Sequence, residues 1–166
     1  MVKDLKIEHV SAGNFMNLGQ IVTIPVEGSR KATLESPFFK FYGGLGFMEF
    51  SGPMELGVCT FKNRDSVVEE LEQHARTQEL LFAIDGDFIM PVAPIERRNG
   101  GEWPDLSRIT AIRVRQGEGV IFHRGIWHWA PFPLQPISSV IVGFAKDTAE
   151  NDLVTRKLAE TFRLLM

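Results

Sequence analysis

Gly119-Val-Ile-Phe-His-Arg-Gly-Ile-Trp-His-Trp-Ala-Pro131 decides the fold, read together with Glu72-Gln-His-Ala-Arg-Thr-Gln-Glu79 and the Gly86 that follows it. The first stretch reads as strand, turn, strand, carrying His123 and His128 around Gly125. The second places two carboxylates and an imidazole, Glu72, His74 and Glu79, on an earlier strand and the turn beside it. A small β-barrel brings such separated donors together at its mouth, because strands distant in sequence lie side by side across a sheet.

Composition agrees with a mainly β chain. Thirteen Phe, fifteen Gly and nine Pro among 166 residues, with turn signals at short intervals, predict many short strands. Strands are expected at 20–25, 38–42, 47–50, 55–61, 80–84, 88–93, 109–114, 120–122 and 137–144. A short helical turn is expected near Asn14, and His9 in an N-terminal strand reads as structural. The pair 80–84 and 88–93 reads as a hairpin through Asp85-Gly86. Residues 96–104 are polar and glycine-rich, and read as a long surface loop.

Two helices are expected as well. Asp65-Ser66 can cap a short amphipathic helix carrying Val67, Val68 and Leu71, just before the first motif. Leu153, Val154, Leu158, Phe162 and Leu165 recur near helical period, predicting a C-terminal helix over about 148–165. The length suits one domain, residues 1–166, with a barrel core over about 20–146.

Charge and cysteine content exclude some classes. Eighteen basic against 21 acidic residues give a net charge of −3, with no cluster suited to phosphate neutralisation, so no nucleic-acid partner is expected. No apolar run reaches the ~18 residues needed to span a bilayer, and the first residues lack a leader's apolar stretch. A cytoplasmic protein without membrane contact is expected. Cys59 cannot form an internal disulfide and reads as a small buried hydrophobe on a core strand.

The intervals Glu72-x-His74-x4-Glu79-x6-Gly86 and Gly125-x2-His128 resemble the two cupin motifs, G-x5-H-x-H-x3-4-E-x6-G and G-x5-P-x-G-x2-H. That resemblance implies a double-stranded β-helix, the jelly-roll barrel, holding one divalent metal ion. Glu72 stands at the first ligand position, His74 at the second, Glu79 at the glutamate and His128 at the late histidine. Glu72 replaces the usual histidine, and His123 replaces the second motif's proline. Two carboxylates and two imidazoles still suit Ni, Mn, Fe or Zn, since mixed oxygen and nitrogen donors match borderline divalent ions. Either histidine alone reads as an ordinary hydrogen-bonded polar residue; the shared spacing is what favours ligation.

Within that superfamily, Phe15-x3-Gly19-x-Ile21, Glu69-Glu-Leu-Glu-x-His74, Thr77-Gln78, Pro104-Asp-Leu106 and Phe122-His-Arg-Gly-Ile-Trp-His128-x2-Pro131 are similar to the ureidoglycolate lyase family. The resemblance covers about residues 12–152. It implies cleavage of ureidoglycolate to glyoxylate and urea, and a homodimer. It also implies a small anionic substrate, with His123 as acid or base and Arg124, Arg76, Trp127 and Gln78 around it. His123 reads equally well as a turn-stabilising residue, and Arg124 and Arg76 as surface charges. Of Trp127 and Trp129, one is expected in the core and the other outside it. The family places a glutamine where Glu79 falls, and a one-residue slip would turn Gln78 inward instead. That departure keeps open another small hydroxy or keto acid as substrate, and the incomplete first motif keeps open a barrel that binds a ligand without turnover.

Overall fold

The computed structural model describes residues 2–26, 28–98 and 100–166. In chain order its strands are β1 (Val2–Leu5), β2 (Ile7–His9), β3 (Gly19–Thr23), β4 (Leu34–Ser36), β5 (Phe39–Phe41), β6 (Met54–Lys62), β7 (Val67–Gln73), β8 (Glu79–Ala83) and β9 (Phe88–Ala93). They continue as β10 (Ile95–Arg98), β11 (Gly101–Pro104), β12 (Thr110–Val114), β13 (Glu118–Phe122), β14 (Trp127–His128), β15 (Phe132–Pro133), β16 (Ile137–Ala145) and β17 (Val154–Leu164). Two single-turn helices, α1 (Ala12–Phe15) and α2 (Thr148–Asn151), complete the elements.

The larger sheet runs β1-β17-β7-β14-β9-β12-β2, with β15 also paired to β9, and the smaller runs β3-β13-β8-β16-β6. From β7 through β9, and again from β12 through β14, the chain passes from the larger sheet to the smaller and back. This alternation is the winding of a double-stranded β-helix, so the expected jelly-roll barrel is the observed architecture. Between the sheets lie Phe15, Leu81, Ala83, Phe88, Met90, Val92, Ile112, Val114, Val120, Phe122, Val140 and Val142. Successive residues of β9 divide between two cores: Phe88, Met90 and Val92 face the barrel, while Ile89 and Ala93 join Leu71, Ala111, Trp127, Phe132 and Phe162 on the far side of the larger sheet.

Several expectations are corrected. Only 148–151 of the expected C-terminal helix is helical; Val154–Leu164 is an eleven-residue strand between β7 and β1. Its apolar residues Val154, Leu158 and Phe162 are four apart, a spacing that fits one strand face as well as one helix face. The helix expected over 65–72 is β7, whose backbone is bonded on both sides by β17 and β14. Strands β8 and β9 are not a hairpin: β8 pairs with β13 and β16, β9 with β12, β14 and β15, so Asp85-Gly86 turns the chain between sheets. A Cβ on Gly86 would sit 2.6 Å from the Gln135 amide oxygen and 2.7 Å from Ser138 Oγ, so a larger residue at that turn would displace those two side chains.

The expected loop at 96–104 contains the hairpin β10–β11, pairing Ile95 with Pro104 and Arg98 with Gly101. Residues 47–50 form no strand; Phe47 is instead held by the Gln20 side chain, which bonds both its N–H and its carbonyl. Cys59 is exposed rather than buried, because β6 is the edge strand of the smaller sheet, with Leu56 and Val58 beside it also open. Among the described residues no helix is long and apolar enough to cross a membrane.

Candidate metal centre

The two motifs converge where β7, β8 and β14 face one another. Trp127 and His128 occupy successive positions of β14, so they point to opposite faces of the larger sheet. Trp127 is fully buried in the outer core, while His128 enters the barrel and stacks on Phe122, with ring centroids 4.7 Å apart and planes 7° from parallel. On β8, Glu79 opposes Phe122 of β13 in register and is buried within the barrel. His74 follows the end of β7, and its carbonyl accepts the Gly125 N–H at 2.7 Å, tying the first motif to the turn of the second. Gly125 has φ +78°, and a Cβ there would lie 2.7 Å from Ile95 Cδ1, so glycine at this turn is set by both backbone conformation and space.

His74, Glu79 and His128 each offer one ligand atom, and the three atoms lie within 4.8 Å of one another, all in buried residues. His128 Nε2 is 2.9 Å from Glu79 Oε2, and His74 Nε2 is 3.7 Å from the same oxygen. Each imidazole faces a backbone carbonyl with its other nitrogen: His74 Nδ1 with Asp152 O at 2.8 Å, His128 Nδ1 with Ile126 O at 3.0 Å. A carbonyl only accepts, so both Nδ1 atoms carry the proton and both Nε2 atoms turn inward. Glu79 Oε2 and His128 Nε2 are buried, yet neither has a partner in hydrogen-bond geometry. Two electron-rich atoms facing each other out of water call for a cation between them, and the residues present therefore fit a divalent metal ion.

The charges respond to this confinement. Burial works to lower the His128 pKa, but the charge and close contact of Glu79, with Glu72 adding, raise it above the ordinary histidine value. Burial works to raise Glu79, yet His128 and His74 hold its carboxyl below the ordinary range. In the metal-free protein a proton is thus drawn to the point where the triad converges.

Glu72 lies beside this group rather than within it. Its Cα is paired with that of His128 across β7 and β14, and its Oε1 is 3.9 Å from His128 Nε2. Burial, aided by Glu79 and Glu70 and opposed by His128 and His74, raises its pKa. Cys59 is open to solvent as a residue, but it opposes the core residue Val140, so its thiol is partly enclosed on the barrel side: that partial burial first, then Glu79 and Glu72, push its pKa up.

The remaining expected residues are not gathered with the triad. Gln78 points opposite to Glu79, and its side-chain oxygen accepts the Glu49 N–H at 2.8 Å. It lines an open depression of about 480 Å³ together with Gln20, Phe47, Glu49, His123 and Arg124. His123 and Arg124 are exposed there, and Arg124 Nη2 donates to Glu49 O at 2.9 Å. Pleat parity is the cause: Phe122 faces the barrel, so His123 leaves it. Arg76 is exposed and bonded to Asp152 and to the Asn151 carbonyl. Trp127 and Trp129, two apart, contact the same outer core, so neither faces the triad. Asp152, whose carbonyl orients His74, has no signal in the sequence, since it lies far from both motifs.

A family model described as ureidoglycolate lyase matches residues 2–164. The ureidoglycolate lyase of Stutzerimonas stutzeri (strain A1501) is 25% identical over 133 residues, covering 76% of this chain and 74% of its own. That of Pseudomonas paraeruginosa (strain DSM 24068 / PA7) is 24% identical over 133 residues, covering 76% and 75%. Among solved structures, a Bacillus subtilis oxalate decarboxylase overlaps with a TM-score of 0.40 at 16% identity; the overlap covers 65% of this chain and 24% of that one. With a match extending from β1 to the last residue of β17, the chain belongs to the ureidoglycolate lyase family.

Proposed function

We propose that this protein is a metal-dependent carbon–nitrogen lyase that cleaves ureidoglycolate to glyoxylate and urea. The observation that carries this reading is the buried triad His74, Glu79 and His128, with both imidazoles held so that Nε2 faces the carboxylate. These three residues would hold the ion, which would supply Lewis acidity toward the substrate's oxygens. The substrate is a carbinolamide. Its cleavage removes the hydroxyl proton, forms the aldehyde C=O and breaks the C–N bond, while the departing urea nitrogen takes up a proton. Glu72, beside the triad and less enclosed than Glu79, is placed to accept the hydroxyl proton and return it to that nitrogen. His123, on the outer rim, is not.

Incubation of the purified protein with ureidoglycolate, following glyoxylate and urea, tests the reading. The expected result is equimolar release that chelation abolishes and a divalent ion restores; a metal-loaded protein that leaves ureidoglycolate intact rejects it. A second reading, another small hydroxy or keto acid as substrate, is favoured by one observation. Glu79 rather than Gln78 faces the barrel, so the centre carries a carboxylate where the family pattern has an amide.

A further inference from the structure

We propose that Asp152 is a positioning residue for the metal centre, a role that rests on the triad being a metal site. Every hydrogen-bonding group of this residue is committed. Its N–H donates to Thr148 O at 2.9 Å, closing α2, and its carbonyl accepts His74 Nδ1 at 2.8 Å. Its carboxylate accepts three successive backbone N–H groups, from Ala75 at 3.1 Å, Arg76 at 2.8 Å and Thr77 at 3.1 Å, and the Arg76 guanidinium adds a fourth donor at 3.3 Å. Asp152 is 7% exposed.

Three consecutive amides pointing at one anion form a concave nest, and here the chain's own carboxylate fills it. The nest is the turn between His74 and Glu79, two of the three ligands. Asp152 therefore fixes that turn with its side chain and the ring of the preceding ligand with its backbone. Thr77 extends the brace toward the third side of the turn: its Oγ1 accepts the Ala145 N–H and donates to Gln78 O, each at 3.0 Å. An uncharged small side chain at 152 would leave three inward amides without an acceptor and release the carbonyl that selects the His74 tautomer. Removing an outer hydrogen-bond partner of a metal ligand typically costs about 10- to 100-fold in metal affinity.

The test titrates Co(II) into metal-free wild type, Asp152→Ala, Asp152→Asn and Asp87→Ala. Binding is followed by calorimetry and by the visible Co(II) spectrum, and each variant is melted. Asp87→Ala removes a carboxylate at the opposite end of β8, far from the triad, and serves as the comparison for general loss of stability. The expected result is an affinity loss of about 10- to 100-fold with an altered spectrum for Asp152→Ala, a smaller loss for Asp152→Asn, which keeps one acceptor, and neither for Asp87→Ala. Should Asp152→Ala fail to fold, Asp152→Asn carries the test alone. Wild-type affinity and spectrum in a folded Asp152 variant, or an equal loss in Asp87→Ala, would overturn the proposal. Failure of wild type itself to take up Co(II) would instead overturn the metal reading beneath it.

Discussion

Two sets of residues lie side by side in sequence and on opposite sides of the barrel wall. Glu79 and His128 face inward; Gln78, His123 and Arg124 line an open depression outside, with His123 and Arg124 exposed. The inner set is out of water with orphaned polar atoms and shifted pKa values. In the outer set, Gln78 and Arg124 are bonded to backbone groups of Glu49. One step along a strand separates Gln78 from Glu79, and another separates Phe122 from His123. The contrast teaches that family resemblance nominates a stretch of chain, while the parity of the pleat decides which members of it face the barrel interior.

The sharpest break of this comparison is to remove an inner ligand. His128→Ala is expected to abolish stoichiometric metal uptake and glyoxylate release, measured by elemental analysis and assay; wild-type metal content in that variant would reduce the inner set to a buried polar cluster. Glu79→Gln, which keeps volume and installs the amide of the family pattern, is expected to weaken metal uptake less than His128→Ala does. Next in size is Glu72→Gln, expected to retain the metal while lowering kcat by about 10²- to 10⁴-fold, the usual range for loss of a general acid–base group. A parallel loss of metal would move Glu72 into the ligand set, as the motif spacing implies.

The outer set should barely respond. Gln78→Ala, His123→Ala and Arg124→Ala are each expected to leave metal content unchanged and turnover close to wild type. A loss in any of them as large as that of Glu72→Gln would show that the rim, not the barrel, meets the substrate.

The barrel and its ligands were legible because they rest on period-2 apolar patterns and fixed intervals, both local. The resemblance of their intervals to the cupin motifs singles out Glu72, His74, Glu79 and His128, and the structure draws the last three together. What could not be read depended on partners. Val154, Leu158 and Phe162 satisfy helix and strand equally, and only the ladder with β7 and β1 selects the strand. Asp85-Gly86 is a sound turn signal, but no local feature says whether the next strand pairs with the last or crosses to the other sheet. The apolar run around Cys59 reads as a core strand, yet β6 ends a sheet, and of its residues only Phe61 packs against the barrel core. The motif position of His123 fits an acid or base and a turn residue alike, and only the barrel decides its direction: with Phe122 inside, His123 stands on the outer rim.

The smallest expected effect concerns charge pairing away from the site. At the other end of β8 from Glu79, Asp87 accepts Arg113 Nε at 2.9 Å, Arg113 Nη2 at 2.6 Å and the Gln116 N–H at 2.9 Å. Burial works to raise the Asp87 pKa, but these donors and the nearby Arg115 charge hold it below the ordinary carboxylate value. A carboxyl with a depressed folded pKa contributes stability above its unfolded value and loses it as pH falls through the folded one. Asp87→Asn should therefore lower Tm by a few degrees at neutral pH, with the difference from wild type closing in acid and metal uptake unaffected throughout. Because this pair is partly open to solvent, added salt should shrink the gap as well. The inner set offers the counter-case: protons would compete with the proposed ion for His74, Glu79 and His128, so metal content should fall in acid before the Asp87 pair is lost. If both effects instead set in together, the buried and the exposed carboxylates would be titrating as one class, and the division between inside and outside would lose its electrostatic content.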